Sequence, residues 1–426
     1  MPVTIVLGAQ WGDEGKGKIV DLLTSDADLV ARYQGGNNAG HTVVVGEDKY
    51  VLHLLPSGIL HDKKRCVLGN GMVIEPLALQ KEITDLVERG KQVKGRIFLS
   101  ENAQMVMPYH KLIDQLQEEN RGDSKIGTTK LGIGPAYVDK VARVGLRLGD
   151  ILDKDVLREK IKKNLELKSY QLKDQQIDVE QIVEDYYACG QQIKEYLVDT
   201  SLTLDQAIQK KEKILLEGAQ GTMLDIDWGT YPYVTSSHPT AGGACTGLGI
   251  GPSQIDSVIG VAKAYTTRVG EGPLPTELDE EMNSRLRAEG NEFGATTGRA
   301  RRCGWFDAVV VRYAARINGL TDLVLTKLDV LDKLPIIKIC TGYQYRDQVL
   351  YNFPTRISVL EECTPIYEDL PGWQEDTTAI TEFKELPANA LNYIHRIEEL
   401  VGRKIFLVSV GAKRTQAFWT RKPFPV

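Results

Sequence analysis

The chain has 426 residues, 42% hydrophobic and 26% charged, near the globular average, which excludes a disordered, collagen-like or stalk protein. Its 52 Lys and Arg against 58 Asp and Glu leave a net charge of -6, so charge alone grips neither nucleic acid nor an anionic membrane, and any anionic ligand must be held locally. No run reaches the ~20 apolar residues of a membrane helix, no basic leader precedes Val3, and the six cysteines (Cys66, Cys189, Cys245, Cys303, Cys340, Cys363) follow no metal-like spacing, so the expectation is a cytoplasmic chain with reduced thiols.

Val3 to Leu7 is a β-branched run leading into the turn Gly8 to Gly17, and Lys18 to Leu23 reads as the first turns of a helix. Leu29 to Tyr33 predicts a second strand, closed by the polar loop Gln34 to Thr42. Val43 to Val45 and Tyr50 to Leu55 predict a hairpin turning at Gly46-Glu47-Asp48. Leu77, Leu79, Ile83, Leu86 and Val87 carry helical spacing across 75 to 90, and Ile97 to Leu99 resumes a strand. From Asp150 to about Lys213 the chain is rich in Lys, Glu, Asp and Gln with almost no Gly, which predicts a helical insertion around 150-213. Lys213 to Leu216, Ser257 to Ala262, Asp322 to Thr326, Pro335 to Tyr343 and Ile405 to Val410 predict strands; Trp305 to Ile317 and Leu391 to Val401 predict helices. The alternation is that of an α/β protein, P-loop-NTPase-like, with a large, mostly parallel central sheet and flanking helices. With no Pro/Ser-rich linker and no internal repeat, a single elaborated domain over 1-426 is expected.

Gly12-Asp13-Glu14-Gly15-Lys16-Gly17-Lys18 follows a strand and opens a helix, where free amides and the positive helix end can cradle phosphate. The P-loop spacing holds until Ile19, which stands where Ser or Thr should hold magnesium. Asp13 and Glu14 lie inside the loop, where a carboxylate facing phosphates is repelled unless it holds a cation or takes a proton from substrate. His41, between Gly40 and Thr42, can donate a proton. Thr326-Lys327-Leu328-Asp329 resembles the Asn-Lys-x-Asp guanine signature: a carboxylate accepts from both N1–H and the 2-amino group of guanine, whereas adenine presents an acceptor at N1. Asp329 would select GTP over ATP, with Lys327 along the ring face and Ser409-Val410-Gly411 offering backbone contacts to the purine. Arg299, Arg301 and Arg302 share a glycine-flexed loop with Thr296 and Thr297, a set suited to bidentate recognition of carboxylate or phosphate.

These motifs, together with Gln34-Gly35-Gly36, Asn38-Ala39-Gly40-His41-Thr42, Gly127-Thr128-Thr129, Gly132-Ile133-Gly134-Pro135, Glu217-Gly218-Ala219-Gln220-Gly221 and Tyr231 to Ser237, closely resemble the adenylosuccinate synthetase family from residue 3 to the C-terminus. The resemblance implies GTP-dependent ligation of L-aspartate to IMP through 6-phosphoryl-IMP, a step of AMP biosynthesis. It implies Asp13, His41 and Gln220 as catalytic residues, Asp13 taking the N1 proton of IMP and His41 serving the departing GDP oxygen. GTP would be held by Gly12, Gly15, Lys16, Gly17, Lys18, Gly40, His41, Thr42, Arg301, Lys327, Asp329, Ser409 and Gly411, and Mg2+ by Asp13 and the Gly40 carbonyl. IMP would be held by Asp13, Asn38, Thr129, Arg143, Gln220, Thr235 and Arg299, and aspartate by Ala295, Thr296, Thr297, Arg299 and Arg301. Arg143 would reach IMP in the neighbouring subunit, making a homodimer the expected unit, with no nucleic acid or membrane as partner. Asn37, Lys130-Leu131 and Ala300 depart from the family pattern, whereas Asp13, changed in relatives that act on dGMP, is present. The competing reading is a regulatory P-loop-like GTPase, with Glu217 to Gly221 as a switch loop.

Overall fold

The computed structural model describes residues 3–45, 48–122, 126–173, 175–294 and 298–420. Its centre is a ten-stranded sheet in the order Ala417–Trp419, Ile405–Ser409, Asp322–Thr326, Ile255–Lys263, Val3–Gly8, Ile214–Glu217, Leu29–Arg32, Arg65–Leu68, Ile97–Ser100, Leu197–Val198. All neighbouring pairs are parallel except the antiparallel pair formed by the last strand, Ala417–Trp419. Val3–Gly8 lies near the middle and is buried throughout, which is why it reads as a continuous apolar run.

Alternate residues of that strand face opposite layers. Ile5 and Leu7 join a core with helices Ala308–Asn318 and Ala388–Val401, while Val6 packs with Ile19, Val20 and Leu23 of helix Lys16–Thr24 on the other face. The helical insertion is present as Lys154–Leu167, Val179–Ile193 and Thr200–Gln209, each capped by an aspartate (Asp153, Asp178, Asp199) accepting from first-turn amides.

Two expectations need correction. The segment 150–213 is not wholly helical: Leu197–Val198 is the edge strand of the central sheet, two residues too short to show periodicity. The helix expected over 305–317 starts at Ala308, because Asp307 accepts from Val309 N and Val310 N and caps it, while Phe306–Asp307 pairs with Ile336–Tyr345. The strand expected over 335–343 is present as Ile336–Tyr345, in a separate small sheet with Gln348–Leu350 and Thr364–Pro371. The hairpin is present as His41–Val45 and Asp48–Leu52; residues 46 and 47 of its expected turn lie outside the described residues.

In parallel sheets ligands gather beyond the carboxyl ends of the strands. Here Gly8, Arg32, Glu217, Thr326 and Ser409 end neighbouring or near-neighbouring strands, and each opens directly into one of the loops singled out above. At ~4.8 Å per strand, the loop after Thr326 stands about 10 Å to one side of the loop after Gly8, and the loop after Arg32 about 10 Å to the other.

Candidate active site

The loop after Gly8 turns through Gly12, Asp13 and Gly15, all with positive φ, and Gly15 in the left-handed region caps helix Lys16–Thr24. Glu14, expected to face phosphate, points inward instead. Fully buried, it accepts from Gln10 N (3.0 Å) and Gly12 N (2.9 Å), and Lys16 Nζ donates to it at 2.5 Å. Glu14 therefore shapes the loop and occupies Lys16. Gly8 is required by this packing, since a Cβ there would stand 2.5 Å from Glu14 Oε2 and 2.6 Å from the Gln220 carbonyl. Asp13 remains about a third exposed (35%), and Arg301 Nη2 donates to its Oδ1 at 2.8 Å.

On one side stand the turns after Thr326 and Ser409. Thr326 Oγ1 donates to the Glu14 carbonyl at 2.6 Å, which ties this turn to the phosphate loop. Asp329 Oδ1 is buried without a hydrogen-bond partner, and burial, aided by Asp332, pushes its carboxyl up to about 6. An unpaired buried acceptor is costly, and paired N–H donors of a ligand would satisfy it. Lys18, expected among the GTP contacts, lines the cleft and donates to Ser409 Oγ (2.7 Å) and to the carbonyls of Gly411 (2.7 Å) and Gln416 (2.9 Å). Burial lowers this ammonium to about 8. It anchors the turn after Ser409 to helix Lys16–Thr24.

On the other side, Gln34 Nε2 donates to the Ala219 carbonyl (3.0 Å) and to Gln220 Oε1 (2.8 Å). The backbone carbonyl fixes which end of Gln34 donates, so Gln220 presents its oxygen to Gln34 and keeps its amide NH2 for a ligand. Asn37 Nδ2 donates to Glu75 Oε2 at 2.8 Å, so Asn at this departing position joins the loop to helix Pro76–Glu88. Arg299 Nη1 donates to the Gly127 carbonyl at 2.9 Å and ties the arginine loop to the segment holding Thr129.

His41 Nδ1 lies 2.5 Å from Glu217 Oε1, a residue sequence reasoning did not single out by itself. Burial works against charge on Glu217, but His41 and Arg32 outweigh it and hold the carboxyl below the usual range.

One cleft of about 890 Å³ runs between these elements. It brings together Gly12, Asp13, Gly15, Lys16, Gly17 and Lys18, then Asn38, Gly40, His41 and Thr42, and finally Thr129, Gln220, Thr235, Arg299, Arg301, Lys327, Ser409 and Gly411. Asp329, two residues beyond Lys327, is not in its lining, and neither is Arg143, which sits exposed at the end of helix Ile133–Ala142. Ala295, Thr296 and Thr297 lie outside the described residues. Among the described residues, no group of three or more His, Cys, Asp or Glu side chains could hold a metal ion.

A parallel sheet whose central strand feeds a glycine loop at a helix N-terminus, with the Thr326-Lys327-Leu328-Asp329 turn on one flank and a polar, arginine-rimmed cleft on the other, is the architecture of a nucleotide-dependent enzyme. The chain belongs to the adenylosuccinate synthetase family, whose model matches residues 5–418. It is 54% identical over 429 aligned positions to the adenylosuccinate synthetase of Geotalea uraniireducens (strain Rf4), with 100% of both chains covered. It is also 54% identical over 420 positions to that of Geobacillus kaustophilus (strain HTA426), with 98% of both covered. The structure of fully ligated adenylosuccinate synthetase from Plasmodium falciparum superimposes with a TM-score of 0.95 at 40% identity, covering 99% of this chain and 100% of that one. A cyanophage S-2L succinoaminodeoxyadenylate synthetase shares the fold, with a TM-score of 0.61 at 20% identity over 99% of this chain and 96% of that one. The protein is a GTP-dependent ligase that joins L-aspartate to IMP in AMP biosynthesis, and the regulatory GTPase alternative finds no support.

Proposed function

We propose that Asp13 is the base of this reaction, at the junction where GTP and IMP meet. The carrying observation is topological: Asp13 follows the central strand, with the base-reading turns on one flank and Asn38 and Gln220 on the other. GTP then lies from Asp329, Lys327, Ser409, Gly411 and Lys18, which tethers that turn, toward Gly12, Gly15, Lys16 and Gly17. IMP lies from Asp13 toward Asn38, Thr129, Gln220 and Thr235.

Asp13 accepts the N1 proton of IMP, O6 attacks the γ-phosphorus, and the bond to the β–γ bridging oxygen breaks to release GDP. His41, steadied by Glu217, hydrogen-bonds that departing oxygen, and the Gln220 amide donates to O6. The aspartate amine, as neutral NH2, then attacks C6, the C6–O6 bond breaks, and the departing phosphate carries off the proton the nitrogen loses. Arg299 and Arg301, with Thr296 and Thr297, take the aspartate carboxylates.

Asp13 and the Gly40 carbonyl are the residues that would hold Mg2+. One partly exposed carboxylate and one carbonyl form no closed cage, which fits an ion that keeps waters and arrives with substrate phosphates. When bound it neutralises phosphate charge.

The reading extends to a cytoplasmic homodimer with the whole chain acting as one domain. Arg143 is exposed and off its own cleft, beside Val138 and Val141, 65% and 79% exposed, and would reach the IMP phosphate in the partner's site. No helix among the described residues is long and apolar enough to cross a membrane. Adenylosuccinate absorbance, followed while omitting Mg2+, GTP, IMP or L-aspartate in turn, should vanish with each omission and when ATP replaces GTP. Full product formation without Mg2+, or with ATP, would contradict the assignment.

A further inference from the structure

Glu292 lies outside the cleft lining and is fully buried, yet three cationic side chains converge on it. Its Oε1 receives Lys263 Nζ at 2.8 Å and the Tyr265 hydroxyl, with Lys327 Nζ at 3.1 Å; its Oε2 receives Arg301 Nη1 at 2.5 Å. Arg301 spends its other terminal nitrogen on Asp13, so Glu292 and Asp13 share one guanidinium. Lys327, in turn, belongs to the base-reading turn and also donates to the Gly290 carbonyl. The backbones agree: Arg301 N donates to the Glu292 carbonyl at 3.0 Å, closing the base of the arginine loop.

Burial works against charge on Glu292, but Lys263, Lys327 and Arg301 outweigh it and hold the carboxyl far below the usual range. A buried anion balanced by three cations imposes one arrangement on them, because removing its charge leaves like charges facing each other.

We propose that Glu292 is a positioning residue that couples the two ends of the site, fixing Lys327 for GTP and Arg301 for aspartate through one carboxylate. The proposal rests on the roles given to Lys327 and Arg301 above.

The test is Glu292→Gln, which keeps shape and one acceptor oxygen but removes charge, assayed by steady-state kinetics with each substrate varied. KM for GTP and for aspartate should each rise about tenfold, while KM for IMP stays within about twofold and Glu292→Asp recovers part of the loss. Unchanged KM values overturn the proposal. So do three KM values that rise together with a falling melting temperature, which marks a purely structural ion cluster.

If Glu292→Gln does not fold, a double-mutant cycle of Lys327→Met and Arg301→Lys in otherwise unaltered enzyme decides. Effects on kcat/KM should depart from multiplicativity by about fivefold or more. Simple multiplication overturns the role of Glu292 alone, whereas single variants with no effect on the GTP or aspartate KM overturn the site assignment beneath it.

Discussion

His41 Nδ1 stands 2.5 Å from Glu217 Oε1, a contact between the start of the hairpin and the last residue of a central strand. Ser57 N donates to the other Glu217 oxygen at 2.9 Å, and Arg32, fully buried, supplies positive charge nearby. The carboxylate contact falls on the Nδ1 side of the ring, leaving Nε2 as the end that can serve a leaving group.

His41→Asn should lower kcat by about 10²–10⁴ with little change in the GTP KM, as expected for a contact made mainly in the transition state. Glu217→Gln should lower kcat less, and it should also reduce stability by about 3 kcal/mol, since Arg32 is left short of a buried counter-charge. The folded Glu217 carboxyl is held below its unfolded value. Its stabilising contribution is therefore present above pH 4.5 and lost as pH falls through the folded value. Steady-state kinetics and urea melts at pH 7 and pH 4 check both statements.

Asp329 gives an acid limb of the opposite origin. Burial raises its carboxyl to about 6, and only the ionised form accepts two N–H bonds from guanine. Below pH 6 the competent fraction of free enzyme falls about tenfold per pH unit, and kcat/KM for GTP should fall with it. Asp329→Asn should cost about 10² or more in kcat/KM for GTP and remove that part of the limb. A variant with the same profile and undiminished GTP use would exclude Asp329 from base reading.

Arg143 tests the assembly. It is exposed and off its own cleft, so Arg143→Leu should raise the IMP KM about tenfold or more while leaving the GTP KM near its original value. In unaltered enzyme the IMP KM should rise on dilution, in step with dissociation measured by sedimentation. A variant whose IMP KM does not change would remove the cross-subunit role.

Glycine-rich and polar loops were legible in the sequence because their backbones must approach a ligand, and their strands because β-branched runs such as Val3 to Leu7 are buried on both faces. Which loops converge was legible only through family resemblance. The inward turn of Glu14 was not, because the sequence places it beside Asp13 and only the left-handed conformation of Asp13 sends the two carboxylates apart. Glu217 and Glu292 carried no local signal of their partnerships, since His41, Lys263, Lys327 and Arg301 reach them from distant segments. The strand Ile336–Tyr345 was visible as a strand, but its own residues do not say which sheet it joins.

The central claim is that Asp13 carries the proton taken from IMP. Asp13→Asn retains size and polarity but cannot accept that proton. Turnover measured with GTP, Mg2+, IMP and L-aspartate should fall by at least about 10², with IMP binding by calorimetry changed no more than a few fold. Turnover within tenfold of the unaltered enzyme, at unchanged IMP affinity, would contradict the account.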